Sequence, residues 1–347
     1  MPRLSLIMST YNDGPYLAEA IESLLTQTYR DYEFIIIDDA AQDNTPHILA
    51  RYAQDDPRLK IIRNERNLGL TLSLNRGLEL AGGEFIGRMD ADDIATPPTR
   101  LADQVAFLEA QPEIGMLSGD MVYIAPGGEL LREGRPIYGA AAGHAELCWR
   151  LLWGNPISHI TVMLRREVLE QHRLRYRPEF NRAEDYELWA TLSRHTRLYR
   201  SQAVWAKRRI LDTSVSHSRA AEQAALSQQL MGRELALLLG KTIAPEALGT
   251  LFDLIHQPRQ NQFEFIQAAR VMGQAYAKIR GGGLPPSELR PIEDNFLHLL
   301  LRLSRRGRGH GHMSALYPLW QIARYTPRPL LSRLGLQYLW GALQNRA

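Results

Sequence analysis

Short apolar runs that end in polar or acidic residues alternate with helical patterns over the first 120 residues, and this alternation limits the fold more than any other feature. Leu4–Ser9 is followed by Leu17, Ile21, Leu24 and Leu25 at helical spacing. The β-branched run Glu33–Ile37 ends in Asp38-Asp39, and Thr45-Pro46 then reads as a cap followed by proline in the first turn. Leu59–Arg63 is a third strand. Leu70, Leu74, Leu78 and Ala81 mark a helix that Gly82-Gly83 ends. Glu84–Met89 runs into Asp90-Ala91-Asp92-Asp93, and a further helix (Leu101, Val105, Leu108) and strand (Ile114–Leu117) follow. Four strand–helix units with short links predict an α/β fold, a mostly parallel sheet flanked by helices. Such sheets bind ligands outside the carboxyl ends of their strands. Thr10-Tyr11-Asn12, Asp38-Asp39 and Asp90–Asp93 therefore converge on one rim.

Beyond residue 120 the pattern is mixed. Pro126-Gly127-Gly128 reads as a hairpin turn, Ile160–Leu164 as a strand, and Glu184–Arg194 as a helix with Leu188, Trp189 and Leu192 on one face. After His217 the pattern is helical, and charge changes with it. Residues 218–347 hold 16 Lys and Arg against 8 Asp and Glu, whereas residues 1–217 hold 25 against 30. Two domains are expected, 1–217 and a C-terminal helical region, 218–347. The single cysteine, Cys148, excludes an intramolecular disulfide and is expected in the core. No signal-peptide pattern and no apolar run of membrane-spanning length is visible, so a cytoplasmic protein is expected.

Three acidic motifs carry chemistry. Asp90 and Asp92, one residue apart at a strand end, can both reach a divalent cation such as Mn²⁺ or Mg²⁺, which would offset charge on a leaving diphosphate; the plainer alternative is a solvated turn capping the next helix. A carboxylate at Asp39 can accept the N3–H of uracil or thymine. Asp43 or Thr45 is expected to cap the following helix and so leave Asp39 free. Glu184 or Asp185, in the first turn of a helix, can take a proton from an acceptor hydroxyl, or can simply complement the helix dipole.

Ser9-Thr10-Tyr11-Asn12, Ile37-Asp38-Asp39-Ala40, Asn67-Leu68-Gly69, Met89-Asp90-Ala91-Asp92-Asp93 and Glu184-Asp185-Tyr186-Glu187-Leu188-Trp189 occur in an order and spacing that resembles family 2 glycosyltransferases, over residues 3–215. The resemblance implies the GT-A nucleotide-diphospho-sugar transferase fold and inversion at the anomeric carbon. It places Thr10 and Tyr11 in the nucleotide pocket and Asp39 on the base. Asp90 falls at the ribose or a metal-bound water, Asp92 on the metal, and Asp185 as catalytic base beside Glu184 in the acceptor site. His159, in Asn155–Thr161, is an acceptor contact or a structural histidine. Many relatives carry a histidine where this chain has Leu211; Arg209 remains to pair with the diphosphate, and His217 is a substitute ligand. A UDP-sugar donor is favoured, with a glycan or lipid-linked acceptor. The alternative is a non-catalytic module that binds nucleotide-sugar or polysaccharide on the same fold.

Other classes fail on particular residues. Thr10–Gly14 lacks the glycine pattern of a dinucleotide site, and Gly240-Lys241-Thr242 has Leu235 where a phosphate loop needs glycine. After Asp294 there are eight arginines and no acid, with Tyr317, Trp320, Tyr325, Tyr338 and Trp340 interleaved. This composition suits peripheral contact with an anionic membrane, or a helical subdomain with an aromatic core. No nucleic-acid recognition fold accompanies it, so nucleic acid is not an expected partner.

Overall fold

The computed structural model describes residues 2–211, 220–255 and 264–307, with 317, 318, 320, 321, 324 and 325. His217 and most of the basic C-terminal segment lie outside the described residues. The chain divides into two compact units, one of residues 1–147 and 155–226, the other of 148–154 and 227–347.

The first unit is built on one eight-stranded sheet. Its strands are β1 (Leu4–Thr10), β2 (Tyr32–Asp38), β3 (Leu59–Arg63), β4 (Phe85–Arg88), β5 (Ile94–Ala95), β6 (Ile114–Ile124), β7 (Met163–Arg165) and β8 (Arg197–Arg209), in the spatial order β3-β2-β1-β4-β7-β6-β8-β5. The first four are parallel; β7 runs antiparallel to both β4 and β6, and β5 antiparallel to β8. Helices α1 (Gly14–Leu25), α2 (Thr45–Asp55), α3 (Leu70–Leu80) and α4 (Arg100–Ala110) connect the early strands. They are followed by α5 (His144–Leu151), α6 (Arg166–Gln171) and α7 (Glu184–Leu192).

Period-two alternation puts Leu4, Leu6 and Met8 of β1 into the main core with Leu17, Ile21, Leu24 and Leu101. Ile7 points to the opposite face, where Leu74, Leu78 and Ile86 surround it. There α3 approaches so closely that a Cβ on Gly77 would lie 2.5 Å from Ile7. Both faces of the sheet are thus covered, as a near-continuous apolar β2 requires.

The later strands depart from expectation. The run Ile160–Leu164 splits into a 3₁₀ turn, His159–Thr161, and the short β7. The long strand β8 was not foreseen, because its alternation is broken by charges at Arg200, Lys207, Arg208 and Arg209. The turn at 126–128 is as expected: Gly128 N–H donates to Ala125 O at 2.9 Å.

The second unit has its own aromatic core. Tyr276 and Phe296 stack at 4.4 Å, and the edges of Trp149 meet both, at 6.4 and 6.1 Å. Trp149 Nε1–H donates to Asn295 Oδ1 at 2.8 Å. Its helices are Ala220–Leu239 (shared with the first unit), Pro245–Ile255, Phe265–Arg280 and Pro286–Gly307. Cys148 is half-buried, not a full core residue.

Candidate functional site

The carboxyl ends of β1, β2 and β4 meet the start of α7 and the end of β8 on one rim of the first unit. Two of these positions, and the turn that carries His159, are set by a single side chain. Arg100 of α4 is fully buried and donates to the carbonyls of Arg88 (3.2 Å), Ile160 (2.6 Å) and Trp205 (3.2 Å). It fastens the strand that leads into Asp90, the turn that carries His159, and the strand that ends in Arg208-Arg209. Burial pushes its guanidinium down to about 9. Backbone carbonyls solvate the ion, as a buried charge demands.

Asp90, Asp92 and Asp93 follow β4 directly. Asp90 pairs with Arg88 Nη1 at 2.7 Å, so one oxygen is engaged. Asp93 is buried and accepts Arg209 N–H at 2.7 Å; burial, then Asp92 and Asp90, raise its carboxyl well above the usual range. Burial, then the charges of Asp90 and Asp13, push the Asp92 carboxyl up to about 7. The cluster is therefore short of positive charge, and its donors are all oxygens, which fits a hard divalent cation. Among the described residues no group of three or more His, Cys, Asp or Glu is arranged to hold a metal by itself. Mg²⁺ sites that use one or two carboxylates and complete the shell with substrate phosphates have this sparse protein set.

Asp39 is not free. It is 2% exposed. Its Oδ1 accepts Asn64 Nδ2 at 2.6 Å and Leu68 N at 2.8 Å, and its Oδ2 accepts Gly69 N at 2.8 Å. The Asn67-Leu68-Gly69 motif thereby acquires a physical role: Gly69 at φ +85° lets two successive amides face one carboxylate. The N-cap of α2 is neither Asp43 nor Thr45 but Asn44, which makes no side-chain cap bond; Asp43, one residue earlier, accepts Thr45 N–H through Oδ1 at 2.9 Å. Thr10 is buried, its hydroxyl donating to Asp13 Oδ2 at 2.9 Å, while Tyr11 stands 44% exposed on the rim.

Asp185 lies in the first turn of α7, which Tyr186, Leu188, Trp189 and Leu192 anchor in the core. Its Oδ2 accepts Asn155 Nδ2 at 2.8 Å and its Oδ1 accepts Tyr186 N–H at 2.6 Å. Burial raises its carboxyl, against the opposing pull of the Tyr186 amide, Arg88 and Arg208. Burial and then Asp185 push Glu184 up to about 7. Two adjacent carboxyls held above their ordinary range suit proton transfer near neutrality. His159 sits between Tyr176, 3.1 Å from its Nε2, and the edge of Trp189, with ring centroids 5.8 Å apart. Burial holds it well below its ordinary range, so the ring is neutral.

Arg209 is buried beside the acidic turn with its guanidinium taken up by protein groups. Its Nε donates to Asp92 O at 3.0 Å, Nη1 to Pro126 O at 2.6 Å, and Nη2 to Glu19, while its plane covers Tyr16. Every nitrogen is committed to holding β8 in place, which corrects the expectation that it meets a diphosphate. Arg208, on the opposite face of the strand, is the cation whose charge acts on Asp93, Asp90 and Asp185. Arg88, Arg208 and Asn155 are site residues whose roles a single sequence hides. An arginine inside the otherwise apolar Phe85–Met89 was the available signal for the first.

The family description "Glycosyl transferase family 2" matches residues 5–205. An uncharacterized glycosyltransferase of Haemophilus influenzae is 35% identical over 198 residues, 56% of this chain and 61% of that protein. The putative glycosyltransferase EpsE of Bacillus subtilis is 37% identical over 195 residues, 54% of this chain and 66% of that protein. The chain thus spans under two thirds of the length of these relatives. Residues 1–349 of S. aureus TarS superpose with a TM-score of 0.56 at 19% identity, covering 93% of this chain and 91% of that one. The same protein is known in complex with UDP-GlcNAc (TM-score 0.55). At such identity the likeness shows the fold, GT-A, with helices C-terminal to it.

Proposed function

The chain belongs to glycosyl transferase family 2, and from that premise we propose that it transfers a sugar from a nucleoside diphosphate sugar, favouring UDP, to a glycan or lipid-linked acceptor with inversion at the anomeric carbon. The observation that carries this reading is the pairing of a partly buried acidic rim, Asp90–Asp93, with a raised, oriented carboxyl at Asp185 in the same unit.

Asp185 takes the proton of the acceptor hydroxyl as its oxygen forms the bond to the anomeric carbon and the bond to the diphosphate breaks. Asn155 fixes the oxygen it holds, and the helix start favours the charged form needed before transfer. Glu184 and the neutral His159 shape the acceptor side. Thr10, Tyr11 and Asp39 receive the nucleoside. Arg88 and Arg208 take the role first given to Arg209, as cations whose charge acts on the acidic rim. A divalent cation such as Mn²⁺ or Mg²⁺ held by Asp92, with Asp90 beside it, would supply charge neutralisation to the departing diphosphate. UDP-GlcNAc bound by TarS supports a UDP-sugar as the first donor to try.

The test is release of UDP from UDP-sugars with Mn²⁺. Wild type should release UDP, and Asp185→Asn should lose release by a factor of at least ~100 while still binding UDP. Binding without release in wild type would favour the non-catalytic module, and release of pyrophosphate would indicate nucleotidyl transfer. Peripheral contact with an anionic membrane remains part of the proposal only for the basic C-terminal segment; among the described residues no helix is long and apolar enough to cross a membrane.

A further inference from the structure

We infer that Asn64 sets the nucleobase preference of this site by fixing how many acceptor positions Asp39 has left, an inference that rests on the nucleotide-sugar reading above. A carboxylate offers roughly four acceptor positions. Asn64 Nδ2 and the Leu68 amide occupy Oδ1, and the Gly69 amide occupies one position of Oδ2. One position remains, on Oδ2.

Asn64 cannot turn its amide round to release Oδ1. Its own Oδ1 accepts Arg76 Nη1, and its Nδ2 also donates to Ser73 Oγ at 2.9 Å. An arginine donates only, so it must meet the carbonyl end of the amide and hold the NH₂ end toward Asp39. The side chain is 2% exposed, and water does not replace these partners. Arg76 therefore locks Asn64, and Asn64 saturates one oxygen of Asp39.

A ligand edge with one donor suits what is left. The imide N3–H of uracil or thymine is such an edge. Guanine presents N1–H and N2–H side by side, a pair that needs both carboxylate oxygens. Against a saturated Oδ1 its second donor would be buried without an acceptor, which is costly. The preference for a pyrimidine nucleotide thus comes from a neighbour that never needs to touch the base.

The experiment is calorimetric titration of UDP and GDP, each with Mn²⁺, into wild type, Asn64→Ala and Arg76→Gln. Wild type should bind UDP more tightly. Removing the Asn64 amide opens a second acceptor on the adjacent oxygen, so the UDP-to-GDP affinity ratio should fall about tenfold, with GDP gaining. Arg76→Gln lets the amide turn and should shift the ratio in the same direction by less. Because Arg76 is only half-buried, it decides the matter if Asn64→Ala does not fold. A merely structural Asn64 would weaken both nucleotides together; a ratio within about twofold of wild type in the variants overturns the inference. GDP binding more tightly than UDP to wild type also overturns it and leaves the nucleotide-sugar reading intact. Wild type binding neither nucleotide refutes that reading, and the inference with it.

Discussion

Asp120→Ala should loosen the loop that walls the site without touching the acidic rim. Asp120 is fully buried on β6. Its carboxylate accepts the amides of Met121 (2.7 Å), Ile137 (2.9 Å), Tyr138 (3.0 Å) and Gly139 (2.5 Å). From the other side Arg200 donates to Ala140 O at 3.1 Å and lies over the Tyr138 ring at 4.5 Å. The ring it holds is close enough to Asp185 for that carboxylate's charge to help raise the phenol, after burial. Removing the carboxylate takes an acceptor from four amides. Tyr138 and Gly139 can turn to water, and Ile137 keeps its second acceptor, Met121 O at 3.1 Å, but Met121 is held in β6. One stranded amide gives a loss of roughly 1–3 kcal/mol. For a unit of this size that corresponds to a drop in Tm of roughly 3–12 °C. Thermal unfolding measures the loss, and limited proteolysis between 126 and 141 reports where it falls. Unfolding within about 2 °C of wild type, with unchanged cleavage of this loop, would refute the reasoning.

Three further outcomes follow from the site. Glu184 has its carboxyl pushed from an ordinary 4.5 to about 7, so the folded state favours the protonated form and loses stability as pH rises from the first value to the second. Relative to wild type, Glu184→Gln should gain on the order of 2–3 kcal/mol between pH 5 and pH 8, read from melts at both pH values; equal gains at both would contradict the burial argument. Gly69→Ala forces φ +85° on a side chain and should cost about 1–3 kcal/mol while weakening UDP, because the two amides on Asp39 shift. Tyr11→Ala, at an exposed position, should leave stability within about 0.5 kcal/mol yet weaken UDP roughly tenfold if its ring stacks on the base, which titration would show.

The parallel half of the fold was legible because β1, β2 and β4 are buried along their length and read as largely apolar runs, two of them leading into acids, with the edge strand β3 marked by Ile61 and Ile62. β8 was not, since its burial comes from pairing with β6 and its charges are neutralised by groups far away in sequence: Arg209 by Glu19, Arg200 by the carbonyls of Pro156 and Ala140. The same reason explains the exchange of Arg209 for Arg208. Adjacent residues on a strand face opposite ways, and only the neighbours decide which face meets the site. Asp39 was located correctly at its strand end, but its partners arrive from 25 to 30 residues later, beyond what local spacing reveals. Nor can a linear reading show that residues 148–154 belong with the second unit.

The most direct test of the central claim is thermal unfolding of wild type and Asp92→Asn with UDP, with and without Mn²⁺. At 100 times its dissociation constant UDP should add about 2.7 kcal/mol to wild type in the presence of the metal, and this gain should vanish in Asp92→Asn. Equal stabilisation of both proteins, or none of the wild type, would contradict the assignment of the acidic rim as the donor site.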